Sequence, residues 1–502
     1  MFLIFNGSRA YLSSVTGSFP KGVNNRGIGR PNRPSHVEHG GFMRLLKYTD
    51  GWTRRHFLEQ TAKGIFAAGV LAPLWEAIGN TGTVDAAYPP ELLSIEEYTK
   101  GRLKIGGELN AGNVDIVKDI LDPAAYFQIK HDGRVCKLAP TETNINYMTP
   151  PPFLAATLRN KGKHKIFPDG NVYTLDGKPW IGGNPFPEPK TAQEVMMANT
   201  LSWGKHDDQQ HSCMEFDTDA DGNIQYEYQW SYVEWQCVGR TVFDPKPYQP
   251  GHEHQLRITG DIITAPEDQR GTSFLQVWAY DQRLFPEFYG YTPLLKRTRS
   301  FPTDQRFEPL LPGNTFFATE AWMAGDPLLT WGNFKLVGKG PLLTCAHHCS
   351  DLENPNWLHP TCGGKTGKKY YQTRMELVPE TYIVEMSPVH YPRAPYSKKR
   401  IWYHAATLCP LTMITYDRQG KMWQQWEGGF DWYKRKPGMK WIEGVPEEFW
   451  SWTHVHAHDL QDGRMSRFQI VQQIIGGYPS TVDNPKLFGE FCSMDALRRL
   501  GR

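Results

Sequence analysis

Over residues 382–426 the apolar and polar positions alternate in short runs separated by turn residues. The stretch reads Y-I-V-E-M-S, a Pro-rich spacer, K-K-R-I-W-Y-H-A, L-C-P-L-T-M-I-T-Y, the tetrapeptide D-R-Q-G, and K-M-W-Q-Q-W. Runs rich in β-branched and aromatic residues, bounded by Pro, Gly and Asp, predict antiparallel strands. Asp417 first and Gly420 last suit a type I turn, so the two runs around them are expected to form a hairpin. Successive strand side chains face opposite ways. Leu411, Met413 and Thr415 should therefore share one face, and Thr412, Ile414 and Tyr416 the other. Both faces carry apolar bulk, which leaves two explanations open: a face lining an apolar cavity, or a sheet covered on both sides.

The same pattern extends through much of the chain. Strands are expected at 225–232, 254–263, 273–280, 294–300, 334–337 and 375–386, with further strands and a short helix within 450–475. Helical spacing is confined to 92–103, 112–121 and 191–202; in the second of these Val114, Ile116, Val117, Ile120 and Leu121 recur at helical intervals. No repeat of 20–50 residues and no parallel βαβ alternation is visible.

Residues 1–42 are rich in Gly, Ser, Asn, Pro and Arg and read as a disordered leader, with Met43 as a second candidate start. Downstream, Thr53-Arg54-Arg55-His56-Phe57-Leu58 precedes a moderately apolar stretch at 64–74 and small residues at 84–86. Arg54, Arg55, Phe57 and Leu58 fall at the positions of a Tat-type export signal, so 43–86 is read as a signal peptide and the Tat export machinery as a partner. No cysteine follows the apolar stretch closely, and a soluble periplasmic protein is expected rather than a lipid-anchored one. The remainder, 87–502, reads as a single β-rich domain with a Cys/His-rich insertion at 341–369.

Composition sharpens this picture only in places. The 502 residues are 39% hydrophobic and 22% charged, which describes a globular chain. A formal net charge of +2 lends no support to a nucleic-acid partner, which calls for a concentrated basic face. The 17 Trp, 38 Pro and 47 Gly residues favour strands and loops over long helices. No apolar run of about 18 residues is present, so no transmembrane helix is predicted.

Three clusters could carry chemistry. His454, His456 and His458 alternate along a strand, which places them on one face about 7 Å apart. Zinc or another divalent metal at these three is one reading; a structural strand is the other, and no cofactor is otherwise predicted. Cys345, His347, His348, Cys349, His359 and Cys362 could build a zinc site, but in an exported protein a disulfide bracing the loop is the expected outcome. Lys205-His206-Asp207-Asp208-Gln209-Gln210-His211 could serve acid-base work or be an ordinary polar loop. No G-x-S-x-G, Gly-rich phosphate loop or H-E-x-x-H motif occurs, and no catalytic residue is assigned.

Several blocks resemble the DUF1329 family. They are Gly183-Asn184-Pro185-Phe186-Pro187, Val277-Trp278-Ala279-Tyr280, the run W-M-A-G-D-P-L-L-T-W-G-N-F-K-L-V-G-K at 322–339, Arg374-Met375-Glu376-Leu377 with Tyr382-Ile383-Val384-Glu385, and Tyr416-Asp417-Arg418-Gln419-Gly420-Lys421-Met422-Trp423. The resemblance covers most of residues 100–470. It departs at Phe285-Pro286-Glu287-Phe288-Tyr289-Gly290-Tyr291, which delays the arginine-rich run to Lys296-Arg297-Thr298-Arg299. It departs also at His404, where an acidic residue is usual.

The resemblance implies a mainly β, LolA/LolB-like fold: a strongly curved antiparallel sheet or half-barrel with helices packed in or across its concave face. It also implies a periplasmic binding or carrier protein for a hydrophobic small molecule or lipid. Two alternatives stand beside it: a Tat-exported, metal-dependent enzyme acting on an aromatic or steroid-like compound, and an accessory protein of an envelope transporter.

Overall fold

The computed structural model describes residues 74–202, 204–294, 296–302, 306–320, 326–391, 393–434 and 448–501. The chain divides into two units, Met1–Arg44 and Leu45–Arg502, and every described residue belongs to the second. The leader and the signal residues Arg54, Arg55, Phe57 and Leu58 lie outside the described residues.

Thirteen strands carry the architecture: β1 (Asp208–Thr218), β2 (Ile224–Gln236), β3 (Gln255–Ala265), β4 (Ser273–Ala279), β5 (Glu287–Thr292), β6 (Arg297–Ser300), β7 (Gly332–Thr344), β8 (Arg374–Ser387), β9 (Tyr396–His404), β10 (Pro410–Asp417), β11 (Met422–Tyr433), β12 (Phe449–Asp459) and β13 (Met465–Val471). With three two- or three-residue strands they form one sheet, sixteen-stranded among the described residues and not closed into a barrel. Its spatial order is β8 through β13, then β1 through β6, with β7 paired to the free side of β8. Two sequential meanders therefore join where β13 pairs with β1, from Met465 opposite Thr218 to Val471 opposite Ser212. The long strands are all antiparallel; among the described residues only Lys137 and Leu138 pair in parallel, with Arg374 and Met375.

The expected hairpin forms between β10 and β11. The Gly420 amide donates to the Asp417 carbonyl at 2.9 Å, and the Asp417 carboxylate accepts from the Gln419 amide. Gly420 takes φ +79°, which explains a glycine there. Met413 and Thr415 face one side and Thr412 and Ile414 the other, as alternation requires. Leu411 joins the Ile414 side instead, because the β9–β10 register shifts between Trp402 and Tyr403.

One face, here the inner face, is covered by α4 (Ala192–Ser202) and by the segment 306–320. Val195, Met196, Met197 and Leu201 of α4 pack with Val384, Ile401, Tyr403 and Met413 of the sheet. A helix apolar all round can only be stable when buried. Its start is fixed by a capping box: the Glu194 amide donates to Thr191 Oγ1, and the Thr191 amide to Glu194 Oε2. The outer face is covered by α2 (Pro123–His131) and by the loop between β7 and β8. Both explanations for a doubly apolar sheet are thus realised, with a cover on each face and a cavity on one.

The outer cover is polar where it meets the sheet. Arg134, which follows α2, forms a paired ion bridge with Glu427 of β11, at 2.5 Å from Nη1 to Oε2 and 2.9 Å from Nη2 to Oε1. Both side chains have no exposed surface. Burial works to raise the Glu427 carboxyl, but the Arg134 guanidinium and His456 outweigh it and hold it well below the usual carboxylate range. Gln128 of α2 continues the network, accepting from Arg134 Nη1 and donating to Gln425 Oε1.

Other expectations are corrected. The helix read at 92–103 is a single turn, Ile95–Tyr98, ended by positive φ at Lys100 and Gly101. The one at 112–121 is a 3-10 helix, Val114–Ile120, broken at Val117; a run dense in β-branched residues crowds a regular α-helix. The strand read at 294–300 begins only at Arg297, and Leu294 is 82% exposed in the preceding turn. No disulfide forms. All eight cysteines are free, with Cys345 Sγ donating to Thr373 Oγ1 and Cys349 Sγ to the His347 carbonyl, each at 3.1 Å. The helix α1 (Leu74–Thr81), inside the segment read as signal peptide, buries Trp75, Ala77 and Ile78 against Ile145, Met148, Ala406 and Leu154 of α3 (Pro151–Asn160).

Removing one partner of a fully buried ion pair leaves an uncompensated charge, so Arg134→Ala is expected to cost about 3–5 kcal/mol in urea unfolding. The double variant Arg134→Met with Glu427→Leu removes both charges and should recover most of that loss. A double variant no more stable than Arg134→Ala would show that the pair does not anchor the outer cover.

Candidate ligand-binding cavity

His454, His456 and His458 share the outer face of β12, as period-two spacing implies, and all three are buried. Their ring nitrogens, however, are held by different elements. His454 Nδ1 pairs with the Thr453 hydroxyl at 2.8 Å, and His456 Nε2 accepts from the Tyr371 amide at 2.9 Å. His458 Nδ1 accepts from Gln128 Nε2 at 3.0 Å. Burial holds all three imidazoles low, His456 at about 4, so they are neutral near pH 7. Among the described residues no group of three or more His, Cys, Asp or Glu is arranged to hold a metal ion.

The other two clusters disperse in the same way. His347 bonds Glu376, His348 bonds Glu142, and His359 bonds Asp351, so imidazoles that are neighbours in sequence point to separate carboxylates. The Asp207 carboxylate accepts from the Thr241, Val242 and Phe243 amides and pins that loop. Lys205 donates to the Thr407 carbonyl, and His206 pairs with the Trp450 carbonyl. These residues brace the fold.

On the inner face, beside the ground that α4 covers, the sheet keeps a cavity of about 150 Å³. Its walls come from both meanders: Trp230 and Ile263 from β2 and β3, Trp426 and Phe430 from β11, Trp452 and Val455 from β12. Its cover is the segment 306–320, which contributes Leu310, Leu311 and Phe316. The aromatic rings lock one another. Phe316 stacks on Trp426 with centroids 5.3 Å apart, and Phe468 of β13 meets Trp230, Trp426 and Trp452 edge-on.

Two glycines shape one wall. Gly428 and Gly429 of β11 lie opposite Val455 and His454 and present no side chain to the cavity, and the strand bulges between Gly429 and Phe430. A Cβ on Gly429 would lie 2.6 Å from Cys349 Sγ, so the outer loop presses against the bare backbone at this point.

Few polar groups reach the cavity, and two of them, Glu215 and Asp261, are acidic. Glu215 of β1 accepts from Trp230 Nε1 at 2.8 Å and from Asn314 Nδ2 at 2.6 Å. Burial raises its carboxyl well above the usual range, while Asp217, two residues on and on the same face, is pushed up to about 7. Like-charged neighbours in an apolar setting share a proton rather than ionise together. Asp261 of β3 also lines the cavity, and burial pushes its carboxyl up to about 8. It has no hydrogen-bond or ion-pair partner among the described residues. Such an arrangement sequesters apolar matter and offers it a few fixed polar contacts, which is the composition of a small-molecule site.

Sequence reasoning missed Glu215 and Asp261. For Asp261 the signal was present, an acid beside an apolar run in T-G-D-I-I-T; for Glu215, in a polar strand, there was none.

A family model described as "Protein of unknown function (DUF1329)" matches residues 108–498. Among solved structures the chain is similar to a DUF1329 family protein from Desulfovibrio piger, at 11% identity over 61% of this chain and 97% of the other, with a TM-score of 0.37. It is similar also to a putative outer membrane lipoprotein-sorting protein domain from Vibrio parahaemolyticus, at 14% identity over 62% and 99%, TM-score 0.36. A third is a LolA superfamily protein from Nitrosomonas europaea, at 12% identity over 61% and 99%, TM-score 0.32. No curated protein matches the chain.

A carboxyl whose folded pKa is raised fits the native state when protonated. Its contribution is present at low pH and is lost as pH rises from the unfolded value near 4 to about 8. Asp261→Asn keeps the neutral shape, so its melting temperature relative to wild type should be higher at pH 9 than at pH 5. Thermal melts at the two pH values test this; an equal difference at both would mean that Asp261 is not burdened by its burial.

Proposed function

The chain belongs to the DUF1329 family, and we propose that it is an exported, periplasmic binding or carrier protein for a hydrophobic, lipid-like ligand. The observation that carries this reading is the aromatic cavity on the inner face, bounded by strands of both meanders and by the segment 306–320. A wall assembled from so many large rings would be expected to interdigitate fully, since protein interiors pack like organic crystals. Retained space lined by Trp and Phe supports a role in accepting a guest.

The magnitudes limit the guest. A cavity near 150 Å³ is comparable to engineered apolar cavities that take up benzene, so the enclosed part suits a ring or a short stretch of acyl chain. Burying about 150 Å² of apolar ligand surface contributes roughly 4 kcal/mol, and a ring-sized probe should bind near the millimolar range. Tighter binding requires a ligand that extends past the enclosed portion. Export through the Tat route, supported by Arg54 and Arg55 with Phe57 and Leu58, would deliver the chain already folded, with the cavity formed before it meets its ligand.

Titration calorimetry with the neutral probe 3-phenylpropan-1-ol tests the reading. Binding should show a negative heat-capacity change, the marker of apolar burial, and should be lost in Val455→Trp, whose indole fills the space. If wild type shows no heat of binding, or Val455→Trp binds equally well, the cavity is not the site.

A further inference from the structure

An unpaired carboxyl in an aromatic cavity is costly, and its placement carries chemical information. Asp261 stands opposite Tyr232 on β2 and opposite Phe274 on β4, and both rings line the cavity beside it. Residues directly opposite in adjacent strands share a face with Cβ atoms about 5 Å apart, so the carboxyl is flanked by ring systems on both sides. Glu215, the other acid on the wall, has both oxygens engaged by Trp230 and Asn314, whereas Asp261 has neither engaged by a described residue.

The cavity wall carries no Lys or Arg among the described residues. Arg306 bonds the Gln276 amide on that wall at 3.3 Å, but its charge is already met by Asp326, with which it forms a buried ion pair. A carboxylate or phosphate entering here would find two acids and no cation. A positive group would find a free carboxyl and the negative faces of aromatic rings, the combination that recognises ammonium compounds.

We propose that this cavity selects organic cations: ligands with an apolar, ring-sized body and an ammonium group that pairs with Asp261 between the rings of Tyr232 and Phe274. The proposal rests on the reading of the cavity as a binding site and narrows its ligand class. An acyl chain bearing a carboxylate or phosphate at the enclosed end is disfavoured.

The selection is pH-dependent. The titratable groups facing or acting on Asp261 are Glu215 and Cys213 of β1 and Tyr232 of β2. Burial favours the neutral form of each, raising Glu215, Cys213 and Tyr232 above their ordinary values. Asp261 itself loses its proton at about 8 in the empty cavity. A bound cation requires the carboxylate, so its affinity should climb by about tenfold per unit as pH rises toward 8 and then level off, with proton release on binding below that point. A neutral ligand should show no such climb.

The test is titration calorimetry at pH 8.5 with three probes of matched apolar body: 2-phenylethyltrimethylammonium, 3-phenylpropan-1-ol and 3-phenylpropanoate. The expected order is cation, alcohol, anion, with the cation favoured over the alcohol by about tenfold. In Asp261→Asn, and in Asp261→Ser as a second variant, that ratio should fall to near one. Alcohol binding without a cation preference in wild type, or a preference that survives in both variants, overturns the proposal while leaving the binding function standing. Failure of all three probes to bind overturns both.

Discussion

A sheet with apolar side chains on both faces must be covered on both, and that constraint organises the whole molecule. Each long strand contributes side chains to two interiors, so neither face can be left to solvent without exposing large rings. The inner face is closed by α4 and by the segment 306–320, the outer face by α2, the residues after it and the loop between β7 and β8. Both covers mix apolar and polar groups, and they differ in their contacts. The inner one sets Val, Met and Leu of α4 against Tyr, Val and Ile of the sheet, and adds Arg257, paired with Glu234 and donating to the Thr200 carbonyl of α4, and the buried pair of Arg306 with Asp326. The outer one contains a buried ionic pair and a row of neutral imidazoles, each with one ring nitrogen hydrogen-bonded to a different neighbour.

That difference bears on function. Buried polar networks fix geometry because every member has directional partners, and a half-satisfied network is costly. On the outer face Glu427, Gln425, His456 and His458 are tied to α2, Arg134 and Tyr371, which holds β11 and β12 in place from behind. The same two strands present Trp426, Phe430, Trp452 and Val455 to the cavity on the other side. The histidines that looked in sequence like a metal site thus belong, in position, to the support of a cavity wall.

Much of the fold was legible from residue pattern: the meander of β8 to β11, the Asp417–Gly420 turn, the helix beginning beyond Thr191, and the shared face of His454, His456 and His458. Each is local, set by periodicity or turn chemistry over a few residues. The cavity was not, because its walls depend on β13 pairing with β1, a contact between Met465–Val471 and residues some 250 positions earlier. No local pattern announces that pairing. In the Cys345–Cys362 region Cys345 and Cys349 stay side by side as free thiols, but the imidazoles close to them in sequence turn to separate carboxylates, because a loop pressed on a sheet aims each side chain at its own partner. Asp261 could have been singled out as an acid inside an apolar strand, but only the fold shows that no described residue neutralises it.

Whether the cavity holds an apolar guest is measured most directly by native mass spectrometry of the full chain purified from its own cells without detergent, followed by organic extraction and identification of what is released. The expected result is a stoichiometric adduct of low mass that is absent from Val455→Trp purified in parallel. Wild-type protein that carries no adduct, and takes up none when incubated with an extract of the same cells, would contradict it.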